Sequence, residues 1–188
     1  MALHVENTRG ARIIRIFYKK NSEREVREGL PEVFPRLWRY ALVLTSNRDA
    51  ASDLAQSTCL RALENHEKFE AGTQLDRWLF RMAHRIWLNE LRATAVRLGG
   101  GLQSIEDVDI PDRKISADTN IFVGQVLQSI SALPEAQRTC VLLVYVEGFK
   151  YAEAARVLDI PVGTVMSRLA AARKTVNRRM NDEDAKTG

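Results

Sequence analysis

The sequence predicts an all-α chain: two small helical domains joined by a flexible linker, the second one a helix-turn-helix. Three observations point there. Alternating apolar and polar residues, the mark of half-buried strands, are scarce, and the 188 residues include only 10 Gly and 5 Pro. Apolar residues recur at helical spacing in two separate blocks. Between the blocks, Gly99-Gly100-Gly101 opens a stretch rich in Asp, Ser and Ile with no sustained period.

Residues 1–29 are basic and poor in core residues. Arg12 to Lys20 has some amphipathic character, but the segment reads as a frayed N-terminal extension. Periodic structure begins near Leu30, with helices at about 30–45, 48–66 and 75–95. Ser46 with Asp49 resembles a capping box that opens the second, and Gly72-Thr73 marks the loop before the third. The first domain is therefore 30–97, the linker 98–120 and the second domain 121–180, with a polar, frayed tail at 181–188. The second domain holds helices at about 121–131, 135–147, 151–158 and 162–180. Pro134 suits a first helical turn, with Glu135 favourable to the helix dipole, and Gly148 is a good C-terminal stop.

Charge is distributed unevenly. The total is 28 Lys+Arg against 24 Asp+Glu, but 98–120 carries 2 basic and 5 acidic residues. The flanking blocks 30–97 and 121–188 are each +2, and 1–29 is +3. Two basic modules around an acidic connector are compatible with an anionic polymer as partner, and equally with ordinary solvated faces. Cys59 and Cys140 lie 81 positions apart in apolar helical patterns, without metal-ligand spacing. A reducing cytosol is the expected compartment. The longest purely apolar run, 140–146, is far short of a membrane span, and Arg15 interrupts any signal-peptide core.

Three segments carry the candidate function. Residues 151–174 read YAEAARVLDIPVGTVMSRLAAARK: a helix with small residues, a tight turn at Asp159-Ile160-Pro161, then a second helix. On a helical wheel Val165, Leu169, Ala172, Val176 and Met180 share one arc. Thr164, Ser167, Ala171, Lys174 and Arg178 share the opposite arc, with Arg168 and Arg173 flanking it. A buried seam, hydroxyls outward and basic flanks suit the DNA major groove. They also suit a helical hairpin with a solvated basic face. In the third helix, Arg81, Arg85, Asn89 and Arg92 form one stripe with Trp78 at its N-terminal end. Such a stripe can follow a nucleic-acid strand, with the aromatic stacking a base. The alternative is a plain amphipathic helix whose tryptophans belong to the core. His84 is a lone histidine and receives no role. In the second helix Ala55, Thr58, Cys59, Ala62 and Leu63 make the core arc. Asp53, Gln56, Ser57 and Glu64 lie outward with Leu60 among them, and Leu54 sits at the edge. A leucine in a polar face is either incidental or the apolar anchor of a protein interface.

Together, DLAQSTCLRALEN (53–65), the stretch from Phe69 through WLFRMAHRIWLNELR (78–92) and LPEAQRTCVLLVYVEGFKYAEAARVLDIPVGTVMSRLAAARK (133–174) resemble an extracytoplasmic-function sigma factor of bacterial RNA polymerase, in the sigma-70 family. The likeness covers about residues 30–180. It implies a first domain (region 2) that binds core polymerase through Asp53, Leu54, Gln56 and Leu60 and opens the promoter −10 element. There the loop at about 66–75 would hold a flipped base. Arg81, Arg85 and Asn89 would lie along the non-template strand, in the stripe that Trp78 and Arg92 complete. It implies a second domain (region 4) that places Thr164, Ser167 and Arg168 in the −35 major groove, with Arg173 and Lys174 near phosphates. The linker would thread through the polymerase toward the RNA exit path. The implied partners are core RNA polymerase, promoter DNA and an anti-sigma factor. Membrane insertion, cofactor, metal and catalytic residues are not expected. Ser57, Arg85, Lys150 and Asp159 depart from the family's usual Glu, Asn, Ser or Thr, and Gly. Met166, Ala170 and Ala171 stand where it often has longer polar side chains, so few groups of this helix are expected to reach DNA. A sigma-like decoy that sequesters an anti-sigma factor, and a helix-turn-helix regulator, share parts of this pattern. No nucleotide loop, nucleophile elbow or convergent carboxylate pair suggests an enzyme.

Overall fold

The computed structural model describes residues 7–97 and 130–187, with side chains described over 21–97 and 130–179 and at Asn181. The linker read at 98–120, and most of the helix read at 121–131, lie outside the described residues. Six α-helices and no strand occur among the described residues. The first half holds α1 (Asn7–Thr45), α2 (Arg48–Glu64), a 3-10 turn (His66–Lys68) and α3 (Leu75–Arg97). The second holds α4 (Glu135–Val141), which runs into a π-helical turn (Leu142–Val146), then α5 (Tyr151–Leu158) and α6 (Val162–Thr187).

Helix α1 is far longer than its sequence suggests. Ser22, Val26, Leu30, Val33 and Leu37 are all buried, so the apolar seam runs back across the expected tail at steps of three and four. Pro31 and Pro35 lie inside the helix rather than at its start. Each deletes one i→i−4 hydrogen bond. Both prolines are exposed, as is Arg27, so the carbonyls left without a helical donor there face water. Gly29 allows close approach to the next layer: a Cβ there would lie 2.5 Å from Leu75 Cδ2 at the start of α3. The C-terminal end also extends, because α6 continues to Thr187 through the segment read as a frayed tail.

Asn47, not Ser46, caps α2. Its Oδ1 accepts from the backbone N–H groups of Asp49 (2.9 Å) and Ala50 (3.0 Å). Ser46 instead takes a left-handed conformation (φ 50°) that closes α1. The first core is built on Leu37, Tyr40, Leu44, Leu54, Leu79 and Phe80, each no more than 1% exposed. Tyr40 stacks at a tilt on Phe80 (4.8 Å between centroids) and its hydroxyl is 3.1 Å from His84 Nδ1.

In the second half, Leu143, Ala154, Val157, Val165, Leu169 and Ala172 form the core beneath the helix-turn-helix. The turn is made by Asp159 in the left-handed region (φ 57°), at the modest cost expected for a non-glycine there. Lys150 lacks a hydroxyl cap, but its N–H donates to Glu153 Oε2 (2.8 Å), half of a capping box. That hydrogen bond, with Arg77 nearby, holds the Glu153 carboxyl below its ordinary range despite partial burial.

The halves pack on each other, α1 against α4 and α3 against α5. Phe80 meets Phe149 (5.3 Å between centroids), and the Arg77 guanidinium lies 4.0 Å from the Phe149 ring centre. Arg138 donates across to the Val43 carbonyl (3.2 Å) and Ser46 Oγ (2.9 Å).

Candidate nucleic-acid interface

The outward face of α2 carries Asp53, Gln56, Ser57 and Leu60, all exposed. Leu60 is 58% exposed, an apolar side chain amid polar ones. Leu54 does not belong to this face. It is 1% exposed, because its Cβ turns toward the same side as Ala51, Ala55 and Thr58, which are fully buried. Thr58 Oγ1 satisfies itself by donating to the Leu54 carbonyl (2.7 Å).

Helix α3 divides its sides cleanly. Leu79, Phe80, Ala83, His84 and Ile86 are buried. Arg81, Arg85, Asn89 and Arg92 are exposed along one stripe, and Arg92 Nη1 donates to Asn89 Oδ1 (3.1 Å). Trp78 is half-buried against Phe69 (5.3 Å between centroids), so its ring props the 66–75 loop as well as ending the stripe. That loop is fixed by Gly72 (φ 83°), whose N–H donates to Glu25 Oε2 of α1 (2.9 Å).

His84 has a place that sequence reasoning did not give it. It is 8% exposed, between the Tyr40 hydroxyl and the backbone of Leu158 in the second half. Burial, reinforced by the positive charge of Arg168, lowers its pKa to about 4, against weaker opposition from Asp159 and Leu158. The imidazole is therefore neutral at pH 7.

On α6, Ser167, Arg173 and Lys174 are exposed and Thr164 is half-buried. Ser167 Oγ donates to the Thr164 carbonyl (3.0 Å). Val165, Leu169 and Ala172 are buried as the wheel requires. Met166, 52% exposed, adds an apolar group to the outer face. Arg168 differs from its neighbours. It is half-buried, and its charge acts on His84 of the first half and on Glu135 and Cys140 of α4. Burial raises the Cys140 thiol and the Glu135 carboxyl above their ordinary ranges, and Arg168 opposes both.

A group of charges at the boundary between the halves was not legible in the sequence. Glu147, with its side chain 1% exposed, accepts from Arg36 Nε (2.6 Å) and Arg39 Nη2 (3.2 Å) of α1. Arg36 also reaches Asp76 (3.0 Å), Asp76 pairs with Arg77, and Arg77 reaches Glu153 (3.4 Å). The one available signal was Glu147 itself, a carboxylate directly after the apolar run and before the helix-ending Gly148. Beside this boundary, a cleft of about 540 Å³ is lined by Arg81 of α3 and by Arg156, Asp159, Ile160 and Pro161 of the helix-turn-helix.

Among the described residues, no group of three or more His, Cys, Asp or Glu is placed to hold a metal ion. No described helix is long and apolar enough to cross a membrane.

Both halves of the chain are similar to known proteins. Sigma-70 region 2 matches residues 32–97, and sigma-70 region 4 matches residues 124–176. The chain is 29% identical over 157 residues to the ECF RNA polymerase sigma factor EcfG of Rhodopseudomonas palustris, covering 81% of this chain and 83% of that one. It is 33% identical over 137 residues to the ECF RNA polymerase sigma factor SigL of Mycobacterium tuberculosis, covering 71% and 76%. Among solved structures, it is similar to the sigma factor RpoE of Bartonella quintana, solved with the anti-sigma factor NepR. There the TM-score is 0.67 at 25% identity, over 82% of this chain and 96% of that one. CnrH, solved with the cytosolic domain of CnrY, shares the fold at a TM-score of 0.58 and 20% identity, over 91% and 97%. With both sigma-70 regions in order on an all-helical frame, the chain belongs to the extracytoplasmic-function sigma factors of RNA polymerase.

Proposed function

We propose that Asp53, Gln56 and Leu60 on α2 form the surface that binds core RNA polymerase, and that Arg81, Arg85, Asn89 and Arg92 on α3 hold the non-template strand of the −10 element. In the same reading, Thr164, Ser167 and Arg168 address the −35 major groove, and Arg173 and Lys174 neutralise phosphates. The observation that carries the reading is Leu60, an exposed leucine ringed by polar side chains on a helix whose other face is fully packed. Such an anchor with a polar rim suits a protein partner.

The chain itself performs no chemistry. Unstacking promoter DNA costs a few kcal/mol per step, and captured bases together with polymerase contacts offset it. Binding both modules to one polymerase makes two weak DNA contacts act as one strong one. An anti-sigma protein that covers these faces is the expected regulator, supported by the relatives solved with such partners. The site of action is the cytoplasm, where polymerase and promoter are.

Competition for core polymerase against a labelled sigma factor tests the α2 surface. Leu60→Asp is expected to weaken binding at least about tenfold, the scale of a lost interface anchor, while helicity and melting temperature stay unchanged. Wild-type affinity in that variant overturns the assignment.

A further inference from the structure

We propose that Glu25 of α1 is a positioning residue for −10 recognition. It fixes the tip of the 66–75 loop in the shape that holds a flipped base, which makes the stretch of α1 ahead of the region 2 match part of the −10 reader. This deepens the −10 assignment above and rests on it.

Three observations carry it. The first is where the loop stands. It leads into Leu75, the first residue of α3, so a strand lying along Asn89, Arg85 and Arg81 reaches Trp78 and then the loop. Within the loop Phe69 is buried against Trp78 (5.3 Å between centroids). The Thr73 N–H and Oγ1 both donate to the Glu70 carbonyl (3.1 and 2.6 Å). Those two bonds close the turn but do not tie its tip to the rest of the domain. The tip is Gly72, in the left-handed region (φ 83°). A Cβ there would meet nothing within 4 Å, so that side of the tip is open to a ligand.

The second is what tethers the tip. The Gly72 N–H donates to Glu25 Oε2 (2.9 Å), a partner 47 positions away on α1. A carboxylate accepting from a backbone N–H makes a stronger bond than a neutral acceptor does. The helix behind it is firmly seated. Ser22 and Val26, beside Glu25 on the same side of α1, are buried. One turn further on, a Cβ at Gly29 would lie 2.5 Å from Leu75 Cδ2, so α1 and the end of the loop meet closely there.

The third is how Glu25 differs from the charges around it. Arg24 pairs with Glu28 (3.9 Å) and Arg27 with Glu23 (3.4 Å), each along the exposed helix surface. Such pairs carry little energetic weight. Glu25 is half-buried and reaches across to another element instead. The region 2 match begins at residue 32, so this contact comes from outside it.

The test uses the full-length chain on core polymerase, with Glu25→Ala and Glu25→Gln as variants. Glu25 lies on the helix surface, and alanine and glutamine are both good helix formers. Equilibrium binding is measured to forked −10 templates in which each non-template base is replaced in turn by an abasic position. In wild type one position is expected to show the largest loss, and it marks the captured base. In Glu25→Ala that loss should shrink about three- to tenfold, the worth of one hydrogen bond, with the other positions and the melting temperature unchanged. Glu25→Gln, whose amide oxygen still accepts from Gly72, should keep the wild-type profile. An unchanged profile in Glu25→Ala, or equal weakening at every position, overturns the positioning role and leaves the −10 assignment standing. A loss in Glu25→Gln as large as in Glu25→Ala overturns the hydrogen bond as its cause. If wild type itself shows no sensitive position, the base-holding loop is what fails, and the role of Glu25 falls with it.

Discussion

His84 shows how one buried side chain ties the two halves together. Its folded pKa of about 4 lies below the ordinary 6.5, so between these values the unfolded chain takes up the proton that the folded chain refuses. Stability from this group is complete above pH 6.5 and is lost as pH falls toward 4. Urea unfolding should find the chain about 2 kcal/mol less stable at pH 5 than at pH 7 from this source. A His84→Gln variant should lose that part of the pH dependence, and an identical dependence in both proteins would contradict the assignment. The neighbouring turn gives a second measurement. Asp159 adopts φ 57° without the freedom of glycine. Asp159→Gly should raise stability by about 0.5–1 kcal/mol, read as a higher melting temperature. A fall would mean that the Asp159 charge beside His84 and Arg168 outweighs the backbone strain.

At the scale of elements, α3 makes the sharpest prediction. Its buried residues are fixed by Tyr40 and Phe69, leaving Arg81 and Arg85 exposed on the opposite side. If these guanidiniums neutralise non-template phosphates, each replacement by alanine should weaken holoenzyme binding to a forked −10 template. Each should also reduce the slope of log affinity against log salt by about 0.7. Weakening with an unchanged slope would place them off the backbone. The two helices of the helix-turn-helix and the polar face of α2 were readable because burial there follows the 3.6-residue period. Helix α1 was not, because Pro31 and the basic residues before it look like a start, whereas Val26 and Ser22 extend the buried seam backward. Leu54 was misplaced for a related reason. An edge position on a wheel becomes core when a second helix, here α1, packs across that edge.

For the whole molecule, two helical modules in the order region 2 then region 4 were legible from their motifs and the glycine-rich break between them. Their mutual packing was not. It is made by Arg36, Arg39, Asp76, Arg77, Arg138, Glu147 and Glu153, residues that a one-dimensional reading assigns to solvent. Charged pairs acquire direction only once the helices have been placed. As a whole, the chain is a targeting subunit that lends binding energy to a separate catalyst. Reconstituted initiation tests this most directly. Purified chain is added to core polymerase lacking any other sigma factor, on a library of genomic templates, and transcripts are mapped by their 5′ ends. The expected result is a defined set of start sites sharing one upstream motif pair, lost with Leu60→Asp. Transcripts that start no differently with the chain than without it would contradict the account.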